Sequence, residues 1–198
     1  MKGWVTYLAH KNPRYCRLLF IVCLVICPQV GWGQGEMVDD VLEHVPMATV
    51  IGMKACGLQG QSASWTDLIV SAGSSYLIAT GMTWSLKHLV HKERPDGSDH
   101  YSFPSGHATY AFTGATILRH EYGHLSPWIT VGGYSIAALV SVDRVRRDRH
   151  HWMDVIAGGG IGVLSGELGY WIGNKLMGKK RQCQVLMSPQ NIYFCYTF

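Results

Sequence analysis

The chain has 198 residues, of which 47% are hydrophobic and only 15% are charged. This charged fraction is well below the roughly one quarter that is usual for soluble domains, and it is typical of a membrane-associated or densely packed helical protein. The net charge of +4 belongs to the N-terminal segment, because four basic residues precede the first acidic residue, Glu36. The remainder is neutral, which excludes a nucleic-acid-binding domain with a basic face.

Residues 1–34 have the layout of a targeting segment. A basic region precedes the apolar run from Leu18 to Cys27, and Pro28 and the small residue Gly33 follow it. This order is typical of a cleaved signal peptide, and it fits an uncleaved N-terminal membrane anchor equally well. We therefore assign 1–34 to a signal peptide or anchor, 35–178 to a helical domain and 179–198 to a C-terminal tail.

Apolar segments with helical patterning fill the central part of the chain. The run from Val45 to Cys56 is predicted to be a short membrane-surface helix or a weak span. Longer helices are predicted at 65–88, 104–123, 127–142 and 152–177. The predicted fold class is all-α, a membrane-embedded bundle of about five to six helices. The last residues, 192–198, are predicted to form a lone strand or a disordered extension.

The segment from Asp143 to Asp154 combines arginines, a histidine and a carboxylate within twelve residues. His150 and Asp154 are four residues apart, so on a helix they share one face. A carboxylate there can accept the proton of one imidazole nitrogen and leave the other free to attack. Arg144 lies six residues before His150 and can hold an oxyanion with two hydrogen bonds. The alternative interpretation is a surface His–Asp pair on a basic loop.

Two further clusters of polar residues lie at predicted helix ends. Lys87 and Arg94-Pro95 lie at and beyond the end of one helix. Ser105 is predicted to cap the next helix, where Gly106 allows a ligand to approach the first N–H groups closely. In an up-down bundle these ends meet at one face. The cations and helix N-terminus suit a phosphoryl group, which carries charge on three oxygens and requires a protonated leaving group.

These clusters together resemble the three signature motifs of the type 2 phosphatidic acid phosphatase family, which shares its fold with vanadium haloperoxidases. The resemblance covers residues 66 to about 175, and the motifs occur in the family's order with the family's internal spacing. The matching positions are Lys87 with Arg94-Pro95, Pro104 to His107, and Arg144 with His150 and Asp154.

The resemblance implies a role for each position. His150 would be the nucleophile that forms a phosphohistidine, Asp154 would orient it, and His107 would protonate the leaving oxygen. The phosphate would be held by Lys87, Arg94, Ser105, Gly106 and Arg144. No metal or cofactor is implied. Asp143 occupies the position of a family serine, and we expect it to point away from the phosphate or to pair with Arg146 or Arg147.

The implied function is a metal-independent phosphoric monoester hydrolase acting on a lipid-linked phosphomonoester or pyrophosphate. Phosphatidic acid, phosphatidylglycerol phosphate, undecaprenyl pyrophosphate and lipid A are the candidate substrate types. One alternative is a zinc metallopeptidase, because His120-Glu121 and His124 match the pattern H-E-x-x-H. A second alternative is a vanadate-dependent haloperoxidase using the same pocket, although the short, hydrophobic chain favours a phosphatase.

The expected partners are a lipid phosphate and a membrane, with no nucleic acid, and the sequence does not indicate an oligomeric state. If residues 1–34 stay as an anchor and residues 45–58 also span, Arg94, His107 and His150 emerge on the outer face. Lys179–Arg181 then lie inside, as the positive-inside rule favours. The predicted location is the bacterial inner membrane with the site facing the periplasm, or the periplasm itself after signal cleavage.

Overall fold

The computed structural model describes residues 40–177 and the backbone of two short C-terminal segments. The helices of residues 42–177 are α1 (Val45–Ala55), α2 (Trp65–Val90), α3 (Gly106–Tyr122), α4 (Pro127–Arg146) and α5 (Trp152–Leu176). The prediction of an all-α bundle is thus confirmed. The predictions for residues 1–34 and for Lys179–Arg181 lie outside the described residues.

The helix ends follow from local side-chain chemistry. α2 begins as predicted at Trp65, where the Ser64 hydroxyl accepts a hydrogen bond from the Asp67 N–H at 3.1 Å. α4 begins at Pro127, after the cap Ser126. It continues four residues beyond the predicted end at Val142, and the Asp143 carboxylate and the Arg147 side chain pair at this end of the helix at 2.6 Å.

Helix α5 packs against both α2 and α3. Its glycines permit this close approach. A Cβ atom added at Gly158 would lie 2.5 Å from the carbonyl oxygen of Ser105, and one added at Gly162 would lie 2.5 Å from that of Thr109. Small residues at such crossings let helix backbones approach closely, as in membrane bundles. The N-terminal half of α5 is therefore held directly against the N-terminal part of α3.

Helix α3 lies at the centre of the buried core. One apolar cluster joins Ile117 and Tyr122 of α3 to Val50 of α1, Leu68 of α2 and Tyr170 of α5. A second cluster joins α3 to α4 and contains Ala111, Ala115, Ala137 and Val140. Burying these side chains contributes most of the stability of such a bundle. It also fixes the middle and the C-terminal part of α3 relative to the neighbouring helices.

By length and composition, α5 is the one helix in the part of the chain searched that could cross a membrane, while α1 is apolar but shorter. Beyond α5, β1 (Cys183–Ser188) and β2 (Asn191–Tyr196) form an antiparallel pair in which Cys183 lies opposite Tyr196. The prediction of a lone strand was therefore wrong: the backbone groups of β2 find their partners in β1, which precedes it.

Candidate active site

His150 lies in the short segment between α4 and α5 and is 3% exposed. Burial and the positive charges of Lys87, Arg94 and Arg144 lower the pKa of its imidazole to about 3, and a hydrogen bond to the Ser102 backbone acts in the opposite sense. The imidazole is therefore neutral at physiological pH. A neutral imidazole influenced by three cations is suited to attack an anionic phosphorus centre.

Lys87 and Arg94 are held by the loop that follows α2. The ammonium group of Lys87, in the last turn of α2, donates a hydrogen bond to the carbonyl oxygen of Tyr101 at 2.6 Å. The Nε atom of Arg94 donates to Oδ1 of Asp99 at 2.8 Å. The loop thus fixes both cations before a ligand binds, and such preorganised charges stabilise a developing negative charge most effectively.

Ser105, Gly106 and His107 form the start of α3, as the second motif predicted. Ser105 is fully buried, and its hydroxyl caps the helix by accepting a hydrogen bond from the Ala108 N–H at 3.4 Å. Gly106 is the first residue of the helix. His107 follows, and its Nε2 atom lies 3.9 Å from Oε2 of Glu43. The positive end of α3 and a histidine side chain are therefore adjacent in one turn.

Arg144 lies in the last turn of α4 and is 5% exposed. The preceding residue, Asp143, is paired with Arg147, with 2.6 Å between Oδ2 and Nε. This is one of the two arrangements we expected for the carboxylate at the family's serine position. Its charge is thereby compensated by an arginine outside the phosphate-binding set.

Asp154 is fully buried in the first turn of α5 and accepts several hydrogen bonds. Its Oδ1 atom accepts from the Lys92 ammonium group at 2.6 Å. Its Oδ2 atom accepts from the Ser102 hydroxyl at 2.6 Å and from the His151 N–H at 3.0 Å. The Nδ1 atom of His150 has no hydrogen-bond partner among the residues that the structure describes.

The direct Asp154–His150 contact expected from the sequence is thus replaced by an indirect connection. Ser102 bonds to Asp154 through its hydroxyl and to His150 through its backbone. His151, whose N–H bonds to Asp154, is the chain neighbour of His150. Asp154 therefore positions the His150 backbone and its surroundings in this structure.

Two residues of the alternative zinc site, His120 and Glu121, make structural contacts with other parts of the chain. Glu121 is fully buried and accepts hydrogen bonds from the Ser62 hydroxyl at 2.5 Å and the Tyr170 hydroxyl at 2.8 Å. The His120 ring stacks on Tyr170, with 4.2 Å between the ring centroids. Across the described residues, no group of three or more histidines, cysteines and carboxylates could hold a metal ion. Glu121 therefore connects two segments in the buried core, and this arrangement does not support the zinc alternative.

Three residues next to the predicted site were not recognised from the sequence: Glu43, Lys92 and Ser102. Lys92 lies in the spacer between Lys87 and Arg94, where a lysine is ordinarily a solvated loop residue. Ser102 could have been noticed as a polar residue just before the second motif. Nothing in the local sequence relates Glu43 to His107, because their contact depends on how α1 packs against α3.

Comparisons with known proteins agree with this geometry. A family model described as the PAP2 superfamily matches residues 64–177. The chain belongs to the PAP2 superfamily. The resemblance to type 2 phosphatidic acid phosphatases is thereby confirmed, and the matched region contains all eight predicted site residues.

Two proteins with similar sequences to this PAP2 chain are named as phosphatases. It is 39% identical to the lipid A 1-phosphatase of Porphyromonas gingivalis over 135 residues, which is 68% of this chain and 30% of that protein. It is 40% identical to lipid phosphate phosphatase 1 of Arabidopsis thaliana over 76 residues, 33% of this chain and 23% of that protein. The chain thus spans less than a third of the length of these relatives.

A solved structure shares the fold. The crystal structure of Aquifex aeolicus LpxE superposes with a TM-score of 0.51 at 21% sequence identity, and the match covers 76% of this chain and 93% of that one. At this identity the likeness establishes the architecture alone.

Proposed function

We propose that this PAP2 chain is a metal-independent phosphatase that cleaves a lipid-linked phosphomonoester or pyrophosphate. The observation that carries the proposal is the buried, neutral imidazole of His150, on which the charges of Lys87, Arg94 and Arg144 act together. Three cations would attract a phosphate, and burial together with the same charges keeps the imidazole unprotonated and nucleophilic.

The reaction proceeds in two steps. His150 attacks phosphorus and forms a P–N bond while the P–O bond to the lipid breaks, and His107 donates a proton to the departing oxygen. Water then attacks the phosphohistidine, His107 takes its proton, and inorganic phosphate leaves with free His150 restored. Lys87, Arg94 and Arg144 neutralise the phosphoryl oxygens, and the N-terminus of α3, at Ser105 and Gly106, supplies backbone donors.

A lipid substrate is supported by the surface of α2 as well as by the relatives. The helix that carries Lys87 exposes large apolar side chains: Leu77 is 76% exposed, Trp84 63% and Leu89 77%. Such a surface fits a membrane interior or its interface. We place the protein in the bacterial inner membrane with the site facing the periplasm, or in the periplasm after cleavage. Lipid A is one candidate substrate because a lipid A 1-phosphatase is 39% identical.

The test is phosphate release by the detergent-purified full chain in the presence of a chelator. Lipid A, phosphatidic acid, phosphatidylglycerol phosphate and undecaprenyl pyrophosphate are compared as substrates, and His150→Ala is the control. We expect release from at least one lipid, with inhibition by vanadate. Loss of activity with chelator and recovery with zinc would support a metalloenzyme, and halide oxidation with vanadate and peroxide would support a haloperoxidase.

N-terminal sequencing of the mature protein separates the two proposed locations. An intact N-terminus supports the anchored arrangement with the site facing the periplasm. A start near Gln34 supports export followed by cleavage.

A further inference from the structure

A lysine outside the phosphate-binding set supplies the positive charge beside Asp154. The ammonium group of Lys92 lies 2.6 Å from Oδ1 of Asp154, whose side chain is fully buried, whereas that of Lys92 is 34% exposed. A buried carboxylate is stable as an anion only when a cation and hydrogen-bond donors compensate for its lost hydration. Lys92 supplies that compensation from the edge of the site.

Lys92 also contacts Ser102, a residue that hydrogen-bonds to both Asp154 and His150. The Ser102 N–H donates a hydrogen bond to the Lys92 carbonyl oxygen at 2.9 Å, and the Ser102 hydroxyl donates to Asp154 at 2.6 Å. Ser102 also bonds to His150 through its backbone. Lys92, Ser102 and Asp154 thus contact one another in pairs, and Ser102 joins them to His150.

We propose that Lys92 is a positioning residue for His150 and acts through Asp154. The inference rests on the proposed phosphatase function. With Lys92 in place, the carboxylate keeps the Ser102 hydroxyl and the His151 N–H in fixed positions, and Ser102 and His151 in turn fix the position of His150. Without the ammonium group, the buried carboxylate of Asp154 loses its direct ion pair with Lys92, and its hold on both donors weakens.

Two other roles for Lys92 make different predictions. A lysine that touches the substrate phosphate would change KM and the inhibition constant of vanadate. A lysine that only stabilises the fold would change the melting temperature and leave kcat per folded molecule unaltered. A positioning residue lowers kcat while KM and vanadate inhibition stay nearly constant, because the attack geometry is lost and the phosphate contacts remain.

The experiment measures kcat, KM and vanadate inhibition with nitrophenyl phosphate for the full chain and its variants. Lys92→Met and Lys92→Gln should each lower kcat about tenfold with KM changed less than about twofold. Lys92→Arg should retain most of the activity, because a guanidinium group can also pair with Asp154. In an Asp154→Asn background, Lys92→Met should add little further loss.

Lys54→Met is the matched control. Lys54, in the last turn of α1, donates a hydrogen bond to the Ser62 carbonyl oxygen at 2.8 Å and lies over the Trp65 ring, and neither of these partners is a predicted site residue. Its loss should lower the melting temperature without changing kcat. Circular dichroism confirms folding for every variant, and Lys92→Gln decides the matter if Lys92→Met does not fold.

Three results would overturn the proposal: wild-type kcat in Lys92→Met and Lys92→Gln, a rise in KM with kcat unchanged, or a full tenfold loss that persists in the Asp154→Asn background. These results differ from a failure of the proposed function, in which the wild-type chain itself releases no phosphate.

Discussion

The Nε2 atom of His107 lies 3.9 Å from the Oε2 atom of Glu43, a mostly buried carboxylate just before α1. Glu43 precedes the region matched by the PAP2 family model, which begins at residue 64. The residue proposed to protonate the leaving group therefore faces a carboxylate from outside that region. An anion at this distance attracts the imidazolium form of histidine, which is the proton-donating form.

Glu43→Gln should therefore slow the cleavage of substrates with poor leaving groups. We expect a loss of about 1 kcal/mol in transition-state stabilisation, or roughly fivefold in rate. Nitrophenyl phosphate, whose leaving group needs little protonation, should be cleaved at nearly the wild-type rate. Glu167→Gln, at an exposed carboxylate of α5, is the control. Equal losses on both substrate types would contradict a link between Glu43 and His107.

His150→Ala should abolish turnover and phosphoenzyme formation, with a loss on the order of 10⁴-fold or more, because no other residue forms the P–N bond. His151→Ala is the matched control, since its side chain is exposed and its hydrogen bonds with Asp154, at 3.0 and 2.9 Å, come from its backbone N–H and carbonyl oxygen. Phosphate release and trapping of the phosphorylated chain measure both effects. An inactive His151→Ala with an active His150→Ala would show that the third motif is misaligned and that Arg144 is wrongly assigned.

His107→Ala should discriminate between leaving groups. An imidazole attacking phosphorus cannot also protonate an oxygen departing on the opposite side, so a second acid is required. General acid catalysis contributes roughly 10²–10⁴-fold, and we expect a loss of that size for alkyl phosphates. The loss for nitrophenyl phosphate should be much smaller. The ratio of kcat/KM for the two substrates measures the effect, and an unchanged ratio would assign the proton to another donor.

The positions of the motif residues could be predicted from the sequence because they depend on helix ends. Ser64, Ser105 and Pro127 mark starts through capping chemistry that is local to a few residues. The partner of Asp154 could not be predicted in this way. Its hydrogen-bond donor Lys92 lies 62 residues away in the chain, and the choice between Lys92 and His150 depends on the loop geometry after α2. The end of α4 was also predicted too early, because the local sequence of the charged segment after Val142 does not reveal that the helix continues to Arg146.

The free energy of unfolding should decrease as the pH is lowered, because of the low pKa of His150 in the folded state. Its folded-state pKa is about 3, against an ordinary value of 6.5, so between these pH values the unfolded state binds more protons. The stabilisation is present above pH 6.5 and is lost as the pH falls towards 3, by at most about 1.4 kcal/mol per pH unit. The melting temperature of wild type should therefore drop more between pH 7 and pH 4 than that of His150→Asn. A parallel drop in both would show that other groups dominate.

Gly158→Ala should destabilise the bundle and impair catalysis. The added methyl group would lie 2.5 Å from the Ser105 carbonyl oxygen, so α3 and α5 must separate, which costs about 1–3 kcal/mol. Gly160→Ala is the matched control on the same helix, because nothing lies within 4 Å of its added methyl group. That change should stabilise by roughly 0.5–1 kcal/mol. The two melting temperatures should move in opposite directions, and a shift of the same sign would contradict the described packing.

The contact between Gly158 and Ser105 also limits how this protein can change during evolution. Asp154, Gly158 and Gly162 follow one another at intervals of four residues along α5. Each residue turns a helix by about 100°, so one inserted or deleted residue in this part of α5 would rotate the glycines away from α3 or the carboxylate away from the site. The segment of α5 from Asp154 to Gly162 therefore cannot gain or lose single residues without disturbing either the helix packing or the site. Changes in chain length are expected instead in the connections 56–64 and 123–126, which carry none of the predicted site residues.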